Sequence, residues 1–327
     1  MWESVRKSVH EFLIKIKFDK WKGWIYLAPA LVLLCIFTVW PIINTLRMAM
    51  LNGYGNLKEL GGVTFEFGIE NFKTVVTDSE FKTCMTNTLL LTVLTVPIST
   101  MLALLIAVCL NAIKPLQRFL QTVFFLPYVT NSIAIGMVFA AMFNIVGSYI
   151  GMPGENVDSW GIINNILGWL GAEPINWMNA NSSQTANYVV IVTYIVWNAL
   201  PFKILILLGG LQSVNKQYYE AAKIDSTSRW RVFWRITVPM LSPMLAYVII
   251  TGFIGGFKEY SSIVGVFGDD MGVGGYANMN TMVGFIYEAL ERGNGQGEAS
   301  AAALILFGII FIVTMINLYV SKKKTHY

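Results

Sequence analysis

Six long apolar stretches dominate the sequence, and they constrain the fold more than any other feature. A bilayer core takes about 20 consecutive, mostly apolar residues in helical form. The stretches that meet this length are Trp24–Thr45, Thr88–Leu110, Phe119–Phe143, Tyr188–Leu211, Leu245–Val266 and Ala301–Val320. Because lipid offers no hydrogen-bond partners, only helices and closed barrels can span a membrane. We therefore predict an all-α fold, a polytopic transmembrane helical bundle of six spans.

The composition agrees with a membrane protein and argues against a metal centre. The chain is 55% hydrophobic and 13% charged, whereas soluble domains carry about 25% charged residues. Three cysteines give an odd count, so no disulfide framework is indicated. The only histidines, His10 and His326, lie at the chain ends, and no Cys/His cluster has metal-site spacing. We expect no metal site and no catalytic residues.

The distribution of basic residues predicts the orientation. An even number of spans places both termini on one side, and lysine and arginine concentrate in cytoplasmic loops. Most of the 23 basic residues precede the first stretch, follow the last, or lie between stretches two and three or four and five. We therefore predict cytoplasmic termini, with a cytoplasmic segment 1–23, a transmembrane domain 24–321 and a cytoplasmic tail 322–327.

The cytoplasmic loop 213–243, between the fourth and fifth stretches, has the pattern of a helical hairpin. Asn215 is predicted to cap a short helix that ends near Ile224. Residues 225–228 are turn and cap residues, which can end one helix and start another.

The second helix of this hairpin is predicted to run from about Arg229 to Thr237. Its apolar residues recur at three- and four-residue spacing and form one stripe, which consists of Trp230, Phe233, Trp234 and Val238. Pro239 and Pro243 are predicted to break the helix before the fifth span. From the residues alone, the hairpin suits an anchor in the lipid headgroups as well as a docking site for a partner.

The same loop resembles the EAA loop of binding-protein-dependent ABC importer permeases. The family pattern is Glu-Ala-Ala, then Asp-Gly-Ala, then an aromatic-rich stretch that ends in Ile-x-x-Pro-x-x-x-Pro. The matching residues are Glu220, Ala221, Ala222, Asp225, Phe233, Ile236, Pro239 and Pro243. Ser226 and Thr227 replace the family's Gly-Ala. Because glycine adopts a left-handed conformation at little cost, Ser226 makes a tight positive-φ turn less certain.

The resemblance implies a coupling mechanism. In that family the two short helices dock in a cleft on a cytoplasmic ATPase, and closure of an ATPase dimer switches the pathway from inward-facing to outward-facing. The ATPase-coupling residues that carry over are Glu220, Ala221, Ala222, Asp225, Ser226, Phe233, Ile236 and Pro239. The chain has no G-x-x-x-x-G-K-[ST] loop. We expect no enzymatic activity and no cofactor here, with ATP and magnesium bound by a partner ATPase.

Further stretches look like the sugar-type members of the family, such as the maltose, multiple-sugar and glycerol-phosphate permeases. These stretches are Tyr26-Leu-Ala-Pro-Ala-Leu, Asn87-Thr88, Phe124-Phe-Leu-Pro-Tyr, Trp197 and Gly297-Glu-Ala-Ser-Ala-Ala. The resemblance implies a carbohydrate substrate and a multi-pass location in a prokaryotic plasma or inner membrane. The implied partners are a second, related permease in a heterodimer, two ATPase subunits, an extracellular solute-binding protein and membrane lipid, with no nucleic acid.

Polar residues within the spans predict a substrate path, because in lipid they normally face a pathway or a packed interface. The candidates are Asn44, Asn131, Trp197, Asn198, Lys203, Glu259 and Tyr260. A structural role is the alternative, in which Lys203 snorkels and Lys258 and Glu259 hold helices together. Prolines at positions 97, 127 and 201 predict kinks that open a cavity between spans.

Other functions remain open on the sequence. An ABC permease for a polyol, glycerol phosphate or amino acid would carry a similar loop. An ion-coupled carrier is less favoured, because such carriers often contain paired repeats and buried carboxylates, and only Glu259 is a clear buried acid here.

Overall fold

The computed structural model describes residues 18–113, 117–143, 145–146, 159–178, 182–268, 271 and 278–324. Within these ranges the regular structure is helical, apart from a two-residue antiparallel pair formed by β1 (Ile145–Val146) and β2 (Ser159–Trp160). The all-α fold class is thus confirmed for the described chain.

The α-helices of the described residues are given in chain order. The first eight are α1 Phe18–Leu34, α2 Trp40–Ala49, α3 Asn56–Leu60, α4 Glu70–Thr77, α5 Ser79–Ala112, α6 Gln117–Val129, α7 Ser132–Phe143 and α8 Ile162–Trp169. The others are α9 Gln184–Ser213, α10 Lys216–Ile224, α11 Arg229–Val232, α12 Val238–Met240, α13 Ser242–Phe257, α14 Ser261–Phe267, α15 Met282–Glu291 and α16 Gln296–Lys324. Two π-helical turns, Cys35–Val39 and Phe233–Thr237, join α1 to α2 and α11 to α12.

Four helical segments are long and apolar enough to cross a membrane. They are Gly23–Ala49, Ser79–Ala112, Gln184–Ser213 and Gln296–Lys322, and they contain predicted spans one, two, four and six. Two further apolar segments are each a pair of helices joined at a bend. Helices α6 and α7 meet at 99°, and the helix that ends at Met240 meets α13 at 68°. By length and composition, the described residues therefore contain four candidate spans, or up to six if each bent pair is one span.

The fifth predicted span, Leu245–Val266, is not one continuous helix. Helix α13 ends at Phe257, and Tyr260 has φ −148° and ψ −54° before α14 starts at Ser261. The N–H groups of Lys258 and Glu259 turn back to the carbonyls of Gly255 and Gly256. The prediction of an unbroken apolar span missed this break, because hydropathy averages over a short polar interruption.

Helices α5 and α9 form the centre of the bundle. Along α5 a ladder of hydroxyl side chains donates to the carbonyl four residues earlier, as in Thr88 to Cys84, Thr92 to Thr88 and Thr95 to Leu91. These bonds satisfy the hydroxyls inside an apolar environment. Polar side chains can therefore line the interior face of α5 without disrupting the helix.

Candidate functional site

A cavity of about 250 Å³ lies between α5, α9 and α13. Helix α6 contributes Tyr128, and the break after α13 contributes Glu259. The other residues that line it are Thr95, Val96, Ser99, Ile195, Asn198, Ala199, Phe202, Lys203, Thr251, Gly252, Gly255 and Gly256. Hydroxyl, amide, aromatic and charged groups thus surround one space inside the bundle.

The cavity brings together three of the predicted path residues, Asn198, Lys203 and Glu259. The Nδ2 of Asn198 lies 3.5 Å from the Ser132 hydroxyl, which joins α9 to the start of α7. Asn198 and Lys203 come from α9 and Glu259 comes from the break after α13, so sequence spacing alone does not place all three together.

The other predicted path residues do not line the cavity. Asn131 lies in the turn between α6 and α7, where its Oδ1 accepts from the N–H of Ile133 at 2.9 Å. Trp197 packs on Phe139, with ring centroids 5.2 Å apart. Asn44 is half-buried in α2. Tyr260 packs on Tyr287 with ring centroids 4.7 Å apart. Helix capping and aromatic packing therefore explain the positions of three of these polar or aromatic groups.

Lys203 is almost completely buried and is held by α5. Its Nζ donates to the Ser99 hydroxyl at 2.6 Å, the Thr100 hydroxyl at 3.0 Å and the Val96 carbonyl at 3.3 Å. An ammonium group has three N–H donors, so α5 accepts all of them. The structural alternative, in which Lys203 snorkels, does not fit this arrangement, because its head group is bonded to α5 in the bundle interior.

Glu259 occupies the break between α13 and α14. Its Oε1 accepts from the Ser262 N–H at 3.2 Å, in the first turn of α14. Its backbone carbonyl accepts from the Thr281 hydroxyl at 2.8 Å, just before α15. One bond therefore holds the side chain of Glu259 and a second holds its backbone next to the cavity.

Next to the cavity, α7 and α14 cross in close contact. A Cβ added to Gly136 would lie 2.7 Å from the backbone of Gly265, and one added to Gly265 would lie 3.0 Å from the Ile133 backbone. The crossing therefore requires both glycines. Tyr194 of α9 also bonds to the Ser132 carbonyl, which fixes the start of α7 against the central helix.

Several lining residues were missed by the sequence reasoning. On α5 these are Thr95 and Ser99, and on α13 they are Thr251 and Gly252. Hydroxyls repeated every three or four residues on one face of an apolar helix were the available signal, as was the stripe of small residues in α13. Small residues permit close helix packing in membranes.

The hairpin predicted over 213–243 is present. The Asn215 side chain accepts from the Gln217 N–H at 3.0 Å and caps α10, which ends at Ile224 as predicted. Ser226 then adopts φ 50°. The Thr227 N–H donates to Ala222 O at 2.9 Å and the Ser226 N–H to Lys223 O at 3.1 Å. These two bonds define a Schellman motif, so the tight positive-φ turn forms although glycine is absent.

The second half of the hairpin is longer than predicted. After α11 the Val238 N–H donates to Phe233 O in a π-helical turn, and α12 continues to Met240. Pro239 does not end this helix, because it lies in the first turn of α12, where its missing N–H is not needed. The break comes at Leu241, and Pro243 lies in the first turn of α13.

The hairpin exposes much of its surface, including large apolar side chains. Ile224 is 84% exposed and Trp230 is 70% exposed. The Trp230 ring packs on Phe233 and Trp234, with centroids 6.1 and 5.7 Å away. Among the predicted coupling residues, Ala222 is buried, Phe233 and Ile236 are half-buried, and the exposed ones are Glu220, Ala221, Asp225, Ser226 and Pro239. Contiguous exposed apolar groups of this kind mark contact surfaces.

Comparison with known proteins gives consistent matches across the chain. Residues 89–326 match the family model described as binding-protein-dependent transport system inner membrane component. The multiple sugar-binding transport system permease protein of Streptococcus mutans is 29% identical over 311 residues, which cover 93% of this chain and 97% of that protein. The lactose transport system permease protein of Rhizobium radiobacter is 29% identical over 301 residues, with 90% and 91% covered.

A solved structure shares the fold. In the crystal structure of a bacterial alginate ABC transporter with an alginate pentasaccharide-bound periplasmic protein, one chain superposes with a TM-score of 0.74 and 20% identity. The match covers 96% of this chain and 98% of that chain. Because the family model covers well over half of the sequence and several long apolar helices accompany it, this chain is a multi-pass membrane protein that belongs to the family of binding-protein-dependent transport system inner membrane components.

Proposed function

We propose that this chain is the permease subunit of an ABC importer that translocates a carbohydrate, delivered by an extracellular solute-binding protein. The observation that carries the proposal is the cavity between α5, α9 and α13, which lies inside an apolar bundle but is lined by polar and aromatic groups. The named relatives act in multiple-sugar and lactose transport systems, which supports the same substrate class.

The chemistry of the lining suits a sugar. The Tyr128 and Phe202 rings, which both line the cavity, are stacked with centroids 5.8 Å apart. Aromatic faces pack against the C–H surfaces of a sugar ring, whereas a few fixed polar groups set its orientation through hydrogen bonds. Asn198, Thr251 and Glu259 provide such groups from three directions.

The hairpin is the proposed docking site of a separate ATPase. Glu220 and Asp225 are exposed on it beside the apolar Ile224 and Trp230. Apolar and aromatic anchors with polar neighbours have the composition of a protein interface. Because the hairpin connects α9 directly to α13, a movement of the hairpin would reach both helices that line the cavity. ATP and magnesium would be bound by the ATPase.

The assembly that follows from this proposal has two permeases, two ATPase subunits and the binding protein. The fold then comprises six spans with cytoplasmic termini and a cytoplasmic hairpin. In alternating access the cavity would face the binding protein and the cytoplasm in turn.

The test is purification of the permease with its partner proteins, followed by reconstitution in liposomes. We expect ATP hydrolysis and uptake to rise when the binding protein is loaded with a carbohydrate, and to stay low with the unloaded binding protein. Uptake that continues after the ATPase is removed would contradict the proposal, as would stimulation by amino acids but by no carbohydrate.

A further inference from the structure

Two ionisable side chains of opposite type, Lys203 and Glu259, line the cavity. Lys203 lies against α13 at Gly252, where an added Cβ would be 3.4 Å from the Lys203 Nζ. Glu259 lies seven residues after Gly252, in the break that follows α13. No ion pair joins these two residues or links either of them to another side chain that the structure describes.

The hydrogen bonds around Lys203 fit the charged form of the side chain. The Thr100 hydroxyl donates to Val96 O and the Ser99 hydroxyl donates to Thr95 O. Both hydroxyls therefore accept from Lys203, and the Val96 carbonyl can only accept. Three acceptors around one nitrogen require three N–H donors, which an ammonium has and a neutral amine lacks.

Lys203 thus has full hydrogen bonding but no neighbouring negative charge. Hydroxyls and a carbonyl solvate an ammonium without neutralising it, and an uncompensated charge in a membrane-embedded site is costly. A negatively charged ligand group nearby would compensate this charge. The carboxylate of Glu259 forms no ion pair with Lys203, and its Oε1 already accepts from Ser262.

We propose that Lys203 is a specificity-determining residue that favours saccharides carrying an anionic group, such as a uronate carboxylate, over neutral saccharides of the same size. The anionic group would lie next to Lys203, and ligand hydroxyls would donate to Glu259. Lys203 acts mainly through the electrostatic attraction of its positive charge, because its three N–H groups already donate hydrogen bonds to α5. This inference rests on the proposed carbohydrate function and adds the charge of the substrate.

The experiment compares uptake of a neutral oligosaccharide with uptake of the uronate oligosaccharide of equal length, in liposomes that contain the full complex. Each uptake is measured with wild-type permease, Lys203→Gln and Lys203→Arg, always with the same binding protein, so that its own preference cancels in the comparison. We expect Lys203→Gln to lower the uronate-to-neutral ratio at least tenfold, which corresponds to about 1.4 kcal/mol. Lys203→Arg should retain most of the ratio. As a matched control at the other ionisable residue of the cavity, Glu259→Gln should not lower it.

The possible outcomes separate this inference from the proposed function. If Lys203→Gln lowers both uptakes by the same factor, or neither, Lys203 is only a tie between α5 and α9 and the inference is overturned. Wild-type uptake of neutral but not of acidic saccharides overturns the inference and leaves the carbohydrate function standing. Absence of uptake of every saccharide by an assembled wild-type complex overturns the proposed function itself.

Discussion

The cavity and the hairpin place polar and apolar side chains in opposite ways. In the cavity, polar groups are buried and satisfied by bonds between distant helices, as Lys203 is by α5. In the hairpin, large apolar groups such as Ile224 and Trp230 are exposed, and α10 begins with a local cap at Asn215. A buried site with internally satisfied polar groups can orient a small ligand, whereas exposed apolar groups on a capped loop can receive a protein.

The two regions also differ in how they are held in place. The surroundings of the cavity depend on backbone contact between α7 and α14 at Gly136 and Gly265. The hairpin is joined internally by a few bonds, including one of 3.3 Å between the hydroxyls of Tyr219 and Thr237. We therefore expect substitutions near the cavity to change stability, and substitutions on the hairpin to change association.

The largest expected effect is that of Glu220→Lys on ATPase association. Glu220 is exposed, so the variant should insert and fold normally. Placing the wrong charge in an interface costs about 2–5 kcal/mol, so we expect roughly 100-fold weaker retention of the ATPase and loss of transport. Retention is measured by co-purification with tagged permease, and insertion by membrane fractionation.

The matched control is Glu291→Lys, a reversal of the same charge at an exposed position at the end of α15. It should leave ATPase retention unchanged. Normal assembly and uptake by the Glu220→Lys variant would remove the distinction between the two regions, because the hairpin would then be no docking surface.

Gly136→Ala should destabilise the protein by about 1–3 kcal/mol, as overpacking does elsewhere. The new methyl group would meet the Gly265 backbone at 2.7 Å, and a backbone cannot move aside as a flexible side chain can. Thermal unfolding in detergent measures the effect. Gly209→Ala is the control, because nothing lies within 4 Å of its added Cβ in α9. If the two variants are equally stable, α7 and α14 can move apart at Gly136 without a loss of stability.

The sequence predicted the hairpin more fully than the cavity. The cap at Asn215 and the end of α10 at Ile224 depend on residues a few positions apart, and such local signals can be read from a single sequence. The prediction failed at Pro239 because a π-helical turn shifts the bonding before it. Such a turn leaves no mark in the apolar periodicity.

The cavity was predicted only in its residue types. Polarity within apolar stretches identified Lys203 and Glu259, but the same criterion selected Asn131, which caps a helix instead. Which polar residues share a cavity depends on the rotation of each helix and on breaks such as the one at Lys258–Tyr260. Those features arise from packing between segments far apart in sequence, so the periodicity of a single segment does not predict them.

Ser226→Gly should stabilise the hairpin by about 1 kcal/mol. Ser226 has φ 50°, and a residue with a Cβ is strained there whereas glycine is not. The readout is amide hydrogen exchange of α10, which should slow. Ser228→Gly is the control, since Ser228 is extended and its side chain makes no capping bond. Faster exchange in the Ser226→Gly variant would show that the serine side chain stabilises the hairpin by more than the strained backbone of Ser226 destabilises it.

The smallest expected effect concerns Glu288, which supports the cavity end from outside. Its Oε1 accepts from Asn280 at 2.7 Å, and the neighbouring Thr281 holds the Glu259 backbone. Burial raises the pKa of Glu288 above its usual range, and the charge of Glu80 raises it further, against the opposing effect of Arg292. The folded state therefore binds the proton more tightly, and the free energy of unfolding falls as the pH rises from the usual carboxyl pKa through the raised one.

Glu288→Gln removes this titration while its amide oxygen can still accept from Asn280. The variant should be more stable than wild type at neutral pH, by less than about 1 kcal/mol because the side chain is partly exposed to screening solvent. The difference should disappear below the usual carboxyl pKa, where wild-type Glu288 is protonated in both states. Thermal unfolding across that pH range measures it, with Glu291→Gln on the same helix as control. A stability difference that does not change with pH would show that the shape of the side chain at position 288 matters more than its charge. Packing, rather than protonation, would then determine how this residue supports the cavity.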